Sequence, residues 1–351
     1  MKMMRRLQGD TPFGAVTSDG EVGLSRRGLF GVACAGCLAV QQGLGAALAQ
    51  AQGAAAGTAA PAAWFPSRWG PGDEIGAANL LTPAKVQEAS RLVREGKTYR
   101  LGIVVDRATP AFPPRNFSVT VFMPGQEGGQ SFGRNQMNYV DDMVSGWLGV
   151  GTQIDSLAHL GINNVFYNGN RVQDFVRTTG VTKLGIEKIP PFVTRGVLVD
   201  LAKFKGKPRL DGGELVTAEE LRQAMAQQNV RVTPGDVIVL HTGWLSVLAE
   251  NPQLFGTQEP GIDGAGAEYL ASLQPLAVGA DTWGIEAVPF KDPQVLWQGH
   301  QVLLAKNGIY ILENLDTRAL VADGASEFMF VLGQPLYRGA VQAIINPVAI
   351  R

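Results

Sequence analysis

The strongest constraint on this chain is a set of short apolar runs, each ending on a polar residue. Arg195 to Leu201 (RGVLVDL), Val237 to Leu240, Leu276 to Val278 and Ile309 to Leu312 are too short for buried helices and read as buried strands. Helix signals fall around them. Thr217-Ala218-Glu219-Glu220 is a capping box that opens a helix through Met225. Thr82 and Pro83 open another as N-cap and first helical residue, with Val86, Ala89 and Val93 on its apolar face and Gly96 as its end. Leu101 to Val105 reads as a further buried strand, Phe117 to Phe122 alternates in strand fashion, and the Gly/Gln-rich stretch from Pro124 to Gly133 reads as a surface loop. Helices and strands alternate with neither a repeat nor a linker. The expectation is one α/β domain with a mixed sheet over residues 61–351.

Net charge is −1 and no long basic run occurs, which argues against nucleic acid and anionic membrane surfaces as partners. Both cysteines, Cys34 and Cys37, lie in an apolar Ala/Gly-rich run near the amino terminus, so their C-x-x-C spacing reads as part of a leader rather than a redox motif. That run follows Ser25-Arg26-Arg27-Gly28-Leu29-Phe30 and closes on Ala47-Leu48-Ala49. The pattern resembles a twin-arginine signal cleaved after Ala49, which implies a periplasmic protein exported folded and without stable membrane association after cleavage. Residues 50–60 read as a flexible lead-in. Beyond the signal there is no cysteine, so any metal must be held by nitrogen and oxygen.

Only three histidines occur: His159, His241 and His300. The stretch Gly149 to Ile162 (GVGTQIDSLAHLGI) places Gln153 and Asp155 two apart, on one side of an extended segment, and Asp155 and His159 four apart, on one face of a helical turn. Read alone, it is equally a polar loop with a helix-capping aspartate. Two distant residues add to it. His300 is one, and Glu313 is the other, at the end of an apolar run where an unpaired carboxylate is costly to bury. Asp155, His159, His300 and Glu313 together make a reasonable ligand set for one divalent ion, Zn²⁺ or Mn²⁺. His241 ends a strand beside Thr242-Gly243-Trp244 and reads either as a substrate contact or as a hydrogen-bonded strand end. Trp147, Trp244 and Trp283 read as pocket wall or core.

The chain resembles the cyclase family of metal-dependent hydrolases, which includes bacterial kynurenine formamidase and isatin hydrolase. The resemblance rests on segments in order along the chain: Arg68 to Glu74, Asn79 to Pro83, Asp141-Asp142, Gly151 to His159, Thr242 to Trp244, Gly279 to Thr282, His300, Glu313 to Leu315, and Ile345 to Ala349. It implies a swivelling β/β/α domain, assembled as a homodimer or higher homo-oligomer, with Asp281 and Glu286 at positions that order the pocket. The family signature is H-x-G-T-H-x-D-x-x-x-H. Gly149 and Gln153 stand where the first two histidines belong, while Gly151, Thr152, Asp155 and His159 match. The resemblance therefore implies a single ion at a second site built from Asp155, His159, His300 and Glu313.

The expected activity is hydrolysis of a C–N or C–O bond in a small amide, lactam or lactone, with His159 as ligand or general base and Gln153 as hydrogen-bond donor or weak ligand. The rival expectation is a non-catalytic periplasmic binding protein that kept the pocket and lost two ligands.

Overall fold

The computed structural model describes residues 64–351; the expected signal, both cysteines and the expected lead-in at 50–60 lie outside the described residues. The apolar runs form the middle of a nine-stranded sheet. Its order is Thr98–Arg100, Val348–Ile350, Glu327–Leu332, Phe192–Asp200, Val237–His241, Ala277–Ala280, Tyr310–Glu313, Gln153–Asp155, Gln342–Ile344. Phe192–Asp200, Val237–His241, Ala277–Ala280 and Tyr310–Glu313 run parallel, and antiparallel pairings extend the sheet on both sides. The sheet is thus mixed, as expected.

Parallel strands need cover on both faces, which is why these runs are apolar without alternation. Val237, Ile238 and Val239 are fully buried, as are Leu276, Val278, Ile311 and Leu312. The helix Ala218–Gln227 packs Leu221, Ala224 and Met225 into this core, and its capping box forms as the sequence predicts, Thr217 and Glu220 bonding reciprocally. The helix Gly264–Ser272 adds Ala267 and Leu270. Among the described residues no helix is long and apolar enough to cross a membrane.

Two expectations need correction. Leu101 to Val105 is not a strand; the strand is Thr98–Arg100. Beyond it Leu101 still donates to the Pro347 carbonyl, the next pair in that register, but the Ile103 N–H goes to the Thr152 hydroxyl instead, and Val104 is 73% exposed. The helix opened by Thr82 spans Pro83–Ser90 and stops short of Gly96. It buries Ala89 and Lys85 rather than a Val86/Val93 stripe, because the Lys85 ammonium reaches the fully buried Asp236 carboxylate at 2.6 Å.

Phe117–Phe122 is a strand and pairs with Asp141–Gly146 in a two-stranded hairpin apart from the main sheet. Its register puts Val119, Val121 and Val144 on one face and Phe122 and Met143 on the other, all exposed.

Candidate metal centre and active-site pocket

The site forms where three strands meet. Gln153–Asp155 lies antiparallel between Tyr310–Glu313 and Gln342–Ile344. The register sets Glu313 opposite Gln153 and Gln342 opposite Asp155. In an extended strand Gln153 and Asp155 share a face, and both side chains meet partners from the neighbouring strands: the Gln153 amide donates to Glu313 Oε2, and Gln342 Nε2 donates to Asp155 Oδ1 at 2.8 Å. Strand then gives way to a turn, the His159 N–H donating to the Ser156 carbonyl, in place of the helical turn the spacing predicts. The turn still brings His159 Nε2 to 3.9 Å from Asp155 Oδ2.

His300 arrives from a separate segment, in a short helical turn at Gln298–His300 that passes into a π-helical segment, Gln301–Lys306. Glu286 fixes it twice, accepting from the His300 backbone N–H at 2.8 Å and from Nδ1 at 2.9 Å. The ring is therefore oriented with Nε2 towards the carboxylates, 3.4 Å from Asp155 Oδ2 and 3.3 Å from Glu313 Oε1. Asp155, His300 and Glu313 are all buried, and each offers a donor atom within 4.8 Å of the others. Asp155 Oδ2 is buried with no hydrogen-bond partner, a costly condition that a cation among these donors would relieve. The nitrogen and oxygen donors thus fit a divalent ion. Of the four expected ligands, three converge this tightly; His159 stands beside them on the pocket wall, its side chain 19% exposed.

Electrostatics separate the roles. Burial holds the His159 imidazole below its ordinary pKa, against the attraction of Asp155, so the ring is neutral at pH 7. Burial opposes the charge on His300, but the Glu286 carboxylate, aided by the nearby Asp155 and Glu313 carboxylates, raises it well above the ordinary histidine value. Burial together with the nearby Asp155 charge pushes Glu313 up to about 7. Burial also raises Asp155, yet His159, His300 and Gln342 outweigh it and leave this carboxyl below its ordinary value.

Arg115, Phe112, Trp283 and Trp297 line the same pocket as Gln153, His159, His300 and Glu313. The three aromatic rings form a wall, with Trp283 and Trp297 centroids 5.8 Å apart and Trp297 5.3 Å from the His300 ring. Of the tryptophans singled out in the sequence, Trp283 lines the pocket, Trp244 is buried in a separate small core, and Trp147 is exposed near the hairpin. His241 lies outside the pocket wall; its Nδ1 sits 2.7 Å from the Thr317 hydroxyl and 3.4 Å from Asp281 Oδ2. Sequence reasoning missed Arg115, Trp297 and Gln342. No local signal marks them, since they reach the site from 38, 144 and 189 positions beyond Gln153 in either direction only through the fold.

A mixed α/β sheet with a buried His/carboxylate cluster at one edge of its parallel core defines a cyclase-like protein. The Cyclase family model matches residues 99–287, and the chain belongs to that family. A solved structure described as a novel cyclase is 32% identical, covering 81% of this chain and 98% of its own, with a TM-score of 0.73. The fold is also shared with isatin hydrolase A from Ralstonia solanacearum (16% identity, 84% of this chain and 100% of that one, TM-score 0.56). An isatin hydrolase bound to the product analogue thioisatinate is similar at 15% identity, covering 77% and 98%, with a TM-score of 0.53. No curated protein matches the chain.

Proposed function

We propose that this protein is a metal-dependent hydrolase that opens a C–N or C–O bond of a small amide, lactam or lactone. The observation that carries the reading is the buried, unpartnered Asp155 Oδ2 beside His300 Nε2, which with Glu313 lines an aromatic-walled pocket. Asp155, His300 and Glu313 are the residues that would hold one divalent ion, Zn²⁺ or Mn²⁺, their two carboxylates offsetting its charge. Such an ion supplies Lewis-acid polarisation of the scissile carbonyl and a more acidic water.

The remaining chemistry belongs to the chain. His159 is neutral and lines the pocket, so it can accept a proton from the attacking water and return it to the leaving nitrogen or oxygen. Gln153 cannot act as a base; its amide positions Glu313. His241 takes no part, being held by Thr317 and Asp281 outside the pocket. Glu286 keeps the His300 ring in orientation through Nδ1.

The test is metal analysis of the purified protein, with His300→Ala alongside, followed by hydrolysis assays on paired aryl-formamide and lactone panels. The expected result is close to one equivalent of metal, lost in the variant, with turnover of one panel. Less than about a tenth of an equivalent after growth in supplemented medium would sink the hydrolase and favour a binding protein. Periplasmic export belongs to the same proposal: replacing Arg26 and Arg27 with lysine should leave the protein in the cytoplasm on fractionation.

A further inference from the structure

Gly149 and Gln153 replace the two histidines of the family signature, and the vacated space has been refilled. A Cβ built on Gly149 would lie 2.6 Å from Arg115 Nη1 and 2.6 Å from Gln342 Oε1. The guanidinium and the amide therefore converge where a side chain at position 149 would project, and any larger residue there would have to push both side-chain ends aside. Arg115 donates from Nη1 to the Gly149 carbonyl at 3.1 Å. Among the described residues it forms no ion pair, although it lines a pocket that contains the Glu313 carboxylate. A guanidinium carries five donors, and this one spends few of them on protein. Phe112, whose carbonyl accepts from the Arg115 backbone N–H at 3.0 Å, lines the same pocket together with Trp283 and Trp297.

The geometry points to an anion subsite: Arg115 binds a carboxylate carried by the substrate, while the aromatic wall takes its apolar or aromatic body. This deepens the proposed hydrolase, resting on that reading for the reaction but not for the binding. A planar carboxylate matches the guanidinium fork bidentately, which a neutral isostere does not. Partial enclosure by aromatic rings lowers the local screening and strengthens the pair. Arg115 is thereby the specificity-determining residue, and the chain prefers small aryl or apolar amides and lactones bearing a carboxylate over their neutral counterparts.

Benzoate and benzamide are probes of equal shape that differ in charge. Their binding to the metal-loaded protein can be titrated by calorimetry and by tryptophan fluorescence. The expected preference for benzoate is on the order of tenfold. Arg115→Gln should abolish that preference while leaving benzamide binding within about twofold, and Arg115→Lys, which keeps charge without the fork, should restore part of it. Three results would overturn the proposal: no preference in the unaltered protein, a preference retained in Arg115→Gln, or an equal loss for both probes. Retention would mean that another cation holds the anion. Equal loss would mean that Arg115 only braces the Gly149 loop. Metal content on the same samples separates this proposal from the hydrolase reading. A protein that lacks metal yet prefers benzoate through Arg115 sinks the hydrolase alone, whereas full metal occupancy without the preference sinks the subsite alone.

Discussion

Gln342 stands directly opposite Asp155 across an antiparallel pair and donates its amide N–H to Oδ1 at 2.8 Å, although 187 residues separate the two. One carboxylate oxygen is thereby occupied and the other left bare for a ligand. Replacing Gln342 with alanine removes the bond and leaves Oδ1 buried without a partner. The expected cost is ~1–3 kcal/mol in stability. Metal affinity should fall roughly 10–100-fold, as when a group that orients a ligand is removed. Thermal denaturation and metal titration read the two effects; unchanged metal affinity would show that the bond does not orient Asp155.

A histidine placed at position 149 should not add a metal ligand to the site. The new ring would push aside the ends of Arg115 and Gln342, and the expected outcome of Gly149→His is a loss of ~1–3 kcal/mol through the Gln342 bond to the buried Asp155 Oδ1. Metal stoichiometry should stay at or below that of the unaltered protein. A second equivalent of bound metal would contradict this.

Glu259 gives the protein a calculable pH dependence. Burial raises its carboxyl well above the ordinary 4.5, opposed by the bond from the Gly284 N–H and reinforced by Glu313 and Glu286, and Oε1 has no partner. The folded protein therefore keeps a proton that the unfolded chain releases near pH 4.5, so this group lowers stability as pH rises from there towards its folded pKa. Glu259→Gln removes the titration and preserves an acceptor for Gly284. Its melting temperature should exceed that of the unaltered protein by a margin that grows as pH rises above about 4.5. A margin that stays flat would mean that Glu259 is already ionised in the fold.

The hairpin of Phe117–Phe122 and Asp141–Gly146 presents apolar side chains on both faces, and a free two-stranded ribbon is marginal in water. We propose a second copy of the chain as its cover. Val119, Val121 and Val144 on one face, Phe122 and Met143 on the other, and Trp147 beside them expose on the order of 600 Å², most of the ~800 Å² each partner contributes to a standard interface when the partner clasps both faces. A symmetric contact uses the ribbon twice, once from each copy. Sedimentation should show a dimer or larger species that Val121→Glu combined with Met143→Glu converts to monomer, with the melting profile of the main domain retained. A monomeric unaltered protein would end the proposal.

The sequence by itself determined the core and half of the site. Continuous apolar runs such as Val237 to Leu240 can be satisfied only inside a covered parallel sheet, and the Thr217/Glu220 box sets its helix wherever the chain goes. Gln153 and Asp155 share a face because a strand has period two, which is a local fact. Tertiary structure decided the rest. It ended the strand soon after Arg100, since the Thr152 hydroxyl takes the Ile103 N–H away from the ladder, and turned Lys85 inward because Asp236 waits there. Register between strands far apart in sequence set Gln342 against Asp155 and Gln153 against Glu313, and placed Arg115 in the space Gly149 leaves open. Such partners carry no periodic signal, because the interaction that selects them exists only once the sheet has closed.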